Sequence, residues 1–413
     1  MDFTKHTLEN GLTVLVHPDH SSPMVAMNLL YSVGSRDEDP SLTGFAHLFE
    51  HLMFGGSAHI PDYDTPLQRA GGENNAFTNN DYTDYYLTLP SQNLETAFWL
   101  ESDRMLELNF SEESLEVQKK VVAEEFRQRY LNQPYGDAWL LLRPLAYRVH
   151  PYRWPTIGMN IGHIEGASLG DVKSFFFSHY APNNCILTLA GAVDPDPAFR
   201  LAEKWFGPIG RRDVPERNLP PEPPQEEYRY GEKSGNVPSP AVYLAFHVDD
   251  RLSRNYYQSD LLSDILSSGM SSRLFLNLVK NKQLFSDIDA YITGDRDPGL
   301  FVVSGHLADQ VQPETALDGI WQELNHLSQF PVGRRELEKN LNRVESNLLF
   351  NNMSILNKAM NLAYYEWIGD PGLLSRELAV YRSVNAEELR MAATNLFRRE
   401  NCSCLVYQSN GKK

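Results

Sequence analysis

Apolar positions recur with two different periods along this chain, and the changes of period mark its elements. Two apolar runs near the start, at 14–16 and 24–33, read as strands. The second is apolar at nearly every position from Val25 to Tyr31, as a central strand requires. A polar loop from Gly34 to Pro40 leads to a helix that Thr43 can cap and that Gly55-Gly56 ends. A hairpin follows, with a short strand at 75–78, a polar turn and a longer strand from Thr83. The short strand is small and polar, which suits an exposed sheet edge. Helices are predicted over 94–108 and 112–130, the second capped by Ser111 and ending before Pro134. A helix at 140–147 leads into a loop shaped by Pro151 and Pro155. Helix 169–179, strand 185–191 and helix 197–206 complete the first half.

From Gly207 to Pro240 the pattern is lost. Eight prolines among charged residues make this stretch an expected extended tether. The pattern then restarts: strand 241–248, helices 256–267 and 271–281, a hairpin at 288–293 and 300–305, helices 314–328 and 335–368, two more helices, and strand 403–408. Both halves follow one order of strand, helix, hairpin, helices and strand, so the chain reads as a diverged structural repeat. The expected class is α+β, with a domain at 1–210, a linker at 211–240 and a second domain at 241–413.

Composition changes this picture little. The 413 residues suffice for two domains, and 42% hydrophobic content suits folded cores. A net charge of −17 leaves no basic face for nucleic acid. No run of about 18 apolar residues exists to span a membrane. Cys185, Cys402 and Cys404 are too scattered for a disulfide framework or a thiolate metal site. The polar N-terminus shows no secretory signal, so the cytoplasm is the expected compartment unless a leader has been removed.

The candidate chemistry lies in the first predicted helix, Gly44-Phe45-Ala46-His47-Leu48-Phe49-Glu50-His51-Leu52-Met53-Phe54. As a helix it sets His47 and His51 one turn apart on one face, with Glu50 on the adjacent edge. Two imidazoles so placed can hold one metal ion, and the carboxylate can hold a water beside it. The pattern H-x-x-E-H is the inverted form of the zinc-protease H-E-x-x-H. No such pattern occurs in the second half, so the chemistry belongs to the first. Farther on, Glu124 and Glu125 sit among Val121, Val122 and Phe126, so one of the two can point inward. Helix residues lie about 100° apart, and both cannot face one metal.

Taken together these segments resemble the M16 family of zinc peptidases, of the pitrilysin and mitochondrial-processing-peptidase type. The resemblance runs from His47–His51 and Gly55-Gly56 through Gly71-Gly72, Asn75-Ala76-Phe77-Thr78, Val121-Val122-Ala123-Glu124-Glu125 and His150-Pro151-Tyr152 to Tyr180-Ala181-Pro182-Asn183-Asn184 and Ser271-Ser272-Arg273-Leu274. Length matches the small M16B-type subunits. The resemblance implies two homologous domains, each a mostly antiparallel sheet packed with helices, forming half of a clam-shell chamber. It implies one zinc per chain held by His47, His51 and Glu125, with Glu50 the general base that activates a zinc-bound water. Peptide substrates would lie extended along Asn75, Ala76, Phe77 and Thr78.

Two departures from the family stand out. Family members often carry a glutamate seven residues before the third ligand, where this chain has neutral Gln118, a supporting hydrogen-bonding group that leaves a tuned site. An arginine and a tyrosine that often reach substrate from the second half are matched by Val279 and Ser286, which cannot do so. The resemblance therefore implies a zinc endopeptidase subunit completed by a metal-free M16-like partner in a heterodimer, with a homodimer as the other arrangement. The alternative is a non-catalytic core or peptide-binding subunit of an M16-like complex.

Overall fold

The structure is a computed structural model that describes residues 1–410. Its apolar runs pair into two sheets. In the first, β1 (Thr4–Thr7), β2 (Thr13–Pro18), β3 (Met24–Tyr31), β4 (Glu73–Thr78), β5 (Thr83–Pro90) and β6 (Cys185–Gly191) lie in the order β1-β2-β6-β3-β5-β4. Only β2 and β6 run parallel; every other pair is antiparallel. The continuous apolar run puts β3 in the middle of the sheet, where Met27 faces Leu189 on one side and Leu87 on the other. Polar β4 takes the edge, as its composition predicts.

The second sheet holds β7 (Arg229–Gly235), β8 (Ala241–His247), β9 (Phe285–Ile292), β10 (Leu300–Leu307) and β11 (Cys402–Ser409), in the order β7-β11-β8-β10-β9. Its one parallel pair is β7 with β11. Strand for strand this repeats β2-β6-β3-β5-β4, so the repeat read from element order is present in the pairing itself. Each sheet is packed with helices, and the fold is a two-domain α+β fold.

Part of the expected tether is structured. β7 lies inside 211–240 and is the counterpart of β2. Its sequence, Arg-Tyr-Gly-Glu-Lys-Ser-Gly, has no apolar alternation because it is an outer strand with little to bury.

The compact units do not follow the contiguous halves. One comprises 1–126, 154–218 and 348–376; the other comprises 127–153, 219–347 and the residues from Glu377 onward. Helix Ala138–Ala146 belongs to the second unit, because its Leu142 and Ala146 share a buried cluster with Ala245, Val302 and Leu405. Helix Ile355–Trp367 belongs to the first unit, where Ala359 meets Ala26 and Ala190 on β3 and β6. The expected single helix over 335–368 is two, Arg334–Asn351 and Ile355–Trp367. Ser354 starts the second by accepting from Asn357 N at 3.4 Å. A short helix at Asp64–Arg69 has too few residues to show a period and was not legible. No helix among the described residues is long and apolar enough to cross a membrane.

The three alanines let the helix lie close on the sheet, so bulk there is costly. Ala359→Leu is expected to lower stability by about 1–3 kcal/mol through overpacking, measured by urea unfolding.

Candidate metal centre

The motif helix runs Phe45–Leu52. Phe45, Leu48, Phe49 and Leu52 are buried, and the Phe49 ring packs 5.1 Å from both Phe175 and Tyr180. Burying that stripe turns His47, Glu50 and His51 the other way, with side chains only 14%, 17% and 24% exposed.

The helix start differs from expectation. Its N-cap is Gly44 in the left-handed region (φ 93°), not Thr43. A Cβ on Gly44 would come within 2.6 Å of the Ile157 carbonyl oxygen, so glycine is required there. The orphan N–H groups are met by Glu38 from the polar loop. Its Oε2 accepts from Gly44 N at 2.9 Å and its Oε1 from Ala46 N at 2.8 Å. Trp154 Nε1 also donates to Glu38 Oε2, at 3.1 Å. Thr43 instead accepts from Met159 N at 2.9 Å and lies 2.8 Å from His163 Nδ1.

Glu38 is buried, and burial pushes its pKa up to about 8, although the Gly44 and Ala46 amides and the Trp154 indole pull the other way. Nothing in the sequence about one acid in a polar loop says that it reaches a helix start six residues on.

The second helix of the site is Glu112–Phe126. Glu124 is exposed, whereas Glu125 turns toward the histidines. Val121, expected to help bury the pair, is itself 45% exposed; Val122 and Phe126 are the buried residues. Glu125 Oε2 lies 3.2 Å from His47 Nε2 and 3.4 Å from His51 Nε2. The two rings are 4.9 Å apart, nearly perpendicular. One ligand atom from each of His47, His51 and Glu125 falls within 4.8 Å of the others, the one such group of three among the described residues. Two imidazole nitrogens and one carboxylate oxygen are the donor set of an open zinc site, so these residues fit that ion.

Glu50 Oε2 is 3.7 Å from His47 Nδ1. Burial opposes charge on His47, yet Glu125 and then Glu50 outweigh it and push its pKa up to about 9. Burial likewise opposes the Glu50 charge; His47, then Thr78, and the nearby His51 hold its carboxyl below the usual range. Among the described residues Thr78 Oγ1 has no aligned hydrogen-bond partner, and it stands beside Glu50.

Thr78 ends β4, which packs beside the motif helix and pairs on one side only, with β5. Asn75 is exposed and Ala76 half-buried on this edge, and Phe77 packs 5.7 Å from the Tyr82 ring. Gln118, seven residues before Glu125, is half-buried on the same helix. Val279 and Ser286 belong to the other unit, where the Ser286 hydroxyl bonds to the His306 carbonyl.

Residues 13–146 match the family model described as Insulinase (Peptidase family M16), and 166–344 match that described as Peptidase M16 inactive domain. The chain is 30% identical to the Zinc protease PqqE of Helicobacter pylori over 341 residues, covering 81% of this chain and 76% of that protein. It is 25% identical to the Uncharacterized zinc protease YmxG of Bacillus subtilis over 411 residues, covering 98% of each. The solved structure of a protease from Helicobacter pylori superposes with a TM-score of 0.93 at 27% identity, covering 98% of this chain and 99% of that one.

Two outcomes are expected at the helix start. Glu38→Ala leaves two backbone N–H groups unpaired and should cost at least about 2 kcal/mol. A carboxyl whose pKa rises on folding takes up its proton more readily in the folded state. Its stabilising share is therefore complete below the ordinary value of 4.5 and is lost as pH rises through about 8. The stability difference between wild type and Glu38→Gln should accordingly fall from acidic pH toward pH 8, as read by urea unfolding across that range.

Proposed function

The chain belongs to the M16 peptidase family, and from that premise we propose that it is a zinc-dependent endopeptidase centred on His47, Glu50, His51 and Glu125. The observation that carries this reading is the convergence of three ligand atoms within 4.8 Å, with a charged carboxylate beside them. His47 Nε2, His51 Nε2 and Glu125 Oε2 would hold one zinc per chain. When bound, zinc supplies Lewis acidity at this point, polarising a carbonyl and acidifying water. Glu50 takes the proton as general base: its carboxyl is held ionised, and its half-buried position keeps bulk water from competing for it.

The β4 edge supports a substrate role for Asn75, Ala76, Phe77 and Thr78. One side of this strand lacks a neighbouring strand, so an extended peptide can add to the sheet through its own backbone. Register along the edge would then bring a peptide bond to Glu50, because Thr78 stands beside that carboxyl. Gln118 adds a hydrogen-bonding group without a further negative charge, which tunes the site and leaves its donor set intact.

Val279 and Ser286 offer neither a cation nor a phenol for substrate. This supports a catalytic subunit that works with a related metal-free chain, the substrate grip being completed by that partner. Co-purification from the native source is expected to bring down a second M16-like chain; full peptidase activity from the purified chain alone would count against the heterodimer.

The catalytic assignment is tested by substitution. Glu50→Gln should keep one zinc per chain, by metal analysis, and lose turnover of an unfolded peptide by about 10²–10⁴-fold. His47→Ala and Glu125→Gln should lose zinc itself. Undiminished cleavage by Glu50→Gln would end the proposal.

A further inference from the structure

The second unit holds an open cleft of about 460 Å³, made entirely of its own residues. One wall is helix Arg254–Ser267, which turns Asn255, Gln258 and Ser259 to the cleft at i, i+3, i+4 spacing. The other is helix Ala386–Leu396, which contributes Glu388, Met391, Ala392 and Asn395 by the same rule. A cleft of this size suits a small ligand.

What is left unpaired in it defines the ligand. Gln258 and Ser259 are 8% and 6% exposed, yet neither side chain has a hydrogen-bond partner among the described residues. The polar atoms of both side chains open onto the solvent of the cleft and are engaged by no group of the described residues, so they are free to meet a ligand there. Arg398 also lines the cleft. It is exposed there; its Nε donates to Asn395 O at 2.9 Å, and both Nη groups are without an ion pair among the described residues.

The two carboxylates of the cleft are already engaged. Asp249 accepts from Ser253 Oγ at 3.3 Å and from the Asn255 amide, and Glu388 accepts from Arg254 and from Asn385 N, each at 3.0 Å. They still set the local charge, and they disfavour a dianion such as phosphate. The remaining groups are one cation, two amides (Gln258 and Asn395) and one hydroxyl without a partner among the described residues, and an apolar patch of Met391, Ala392 and Leu396.

We propose that this cleft binds the carboxyl terminus of a peptide. Arg398 pairs with the terminal carboxylate, Gln258 and Ser259 meet the adjoining peptide group, and the apolar patch receives a small aliphatic terminal side chain. The residues of this cleft belong to the second unit and His47, Glu50, His51 and Glu125 to the first, and the proposal does not depend on the peptidase reading.

The test is calorimetry on the zinc-loaded Glu50→Gln chain with N-acetyl-Ala-Ala-Leu, its C-terminal amide, and inorganic phosphate. The free acid is expected to bind, and the amide to bind at least about tenfold more weakly, since it forfeits a charge-assisted pair. Arg398→Ala and Gln258→Ala should each weaken the acid by a similar factor, with zinc content and melting temperature unchanged. Equal binding of acid and amide would overturn the proposal, as would tighter binding of phosphate, absence of binding, or binding that survives both substitutions. Loss of the peptidase reading would show in the turnover of wild type and leave these titrations as they are.

Discussion

One buried carboxyl group holds the helix of the candidate metal site in place. The helix has eight residues, too few to be stable by its own hydrogen bonds. Glu38 takes the Gly44 and Ala46 amides at its start, and Trp154 pins the same carboxyl group from another segment. Behind it, Phe49 packs on Phe175 and Tyr180, which fixes the rotation of the helix about its axis. Translation is set at one end and rotation along one face. His47 and His51 therefore stand where Glu125 can meet them, with Glu50 beside His47.

The site also shows how a buried constellation of charges is balanced. His47 is held between Glu125 and Glu50, and each partner stabilises the charge that burial opposes. Removing either carboxylate leaves the other to carry that balance alone, so the residues act as a unit. The same logic extends outward from the site. Arg36 and Asp81, both almost fully buried, pair at 2.9 Å in the same unit, and a buried charge persists there because it is matched.

Repetition gives the fold its economy. The two sheets share one order of pairing, and among the described residues only the first unit carries a group of three side chains that could hold a metal ion. In the second, the same architecture presents a cleft between two helices instead. The family description of the matched second segment as an inactive domain agrees with the absence of H-x-x-E-H from it.

By itself the sequence determined the elements whose signal is local. The continuous apolar run made β3 central, the polar run made β4 an edge, and the spacing of His47 and His51 put both on one helix face. Such features depend on period and side-chain character, which neighbours in sequence carry. Tertiary structure decided everything that depends on meeting across distance. It turns Glu125 rather than Glu124 to the histidines, a choice of about 100° of rotation that periodicity leaves open, that in the sequence only the family resemblance makes, and that in the fold follows from burial of Val122 and Phe126. It replaced Thr43 with Glu38 at the helix start, because a cap needs only an acceptor in the right place, from wherever the chain supplies it. It also moved helix 138–146 to the second sheet and helix 355–367 to the first, since an apolar face goes to whichever surface is left to cover it.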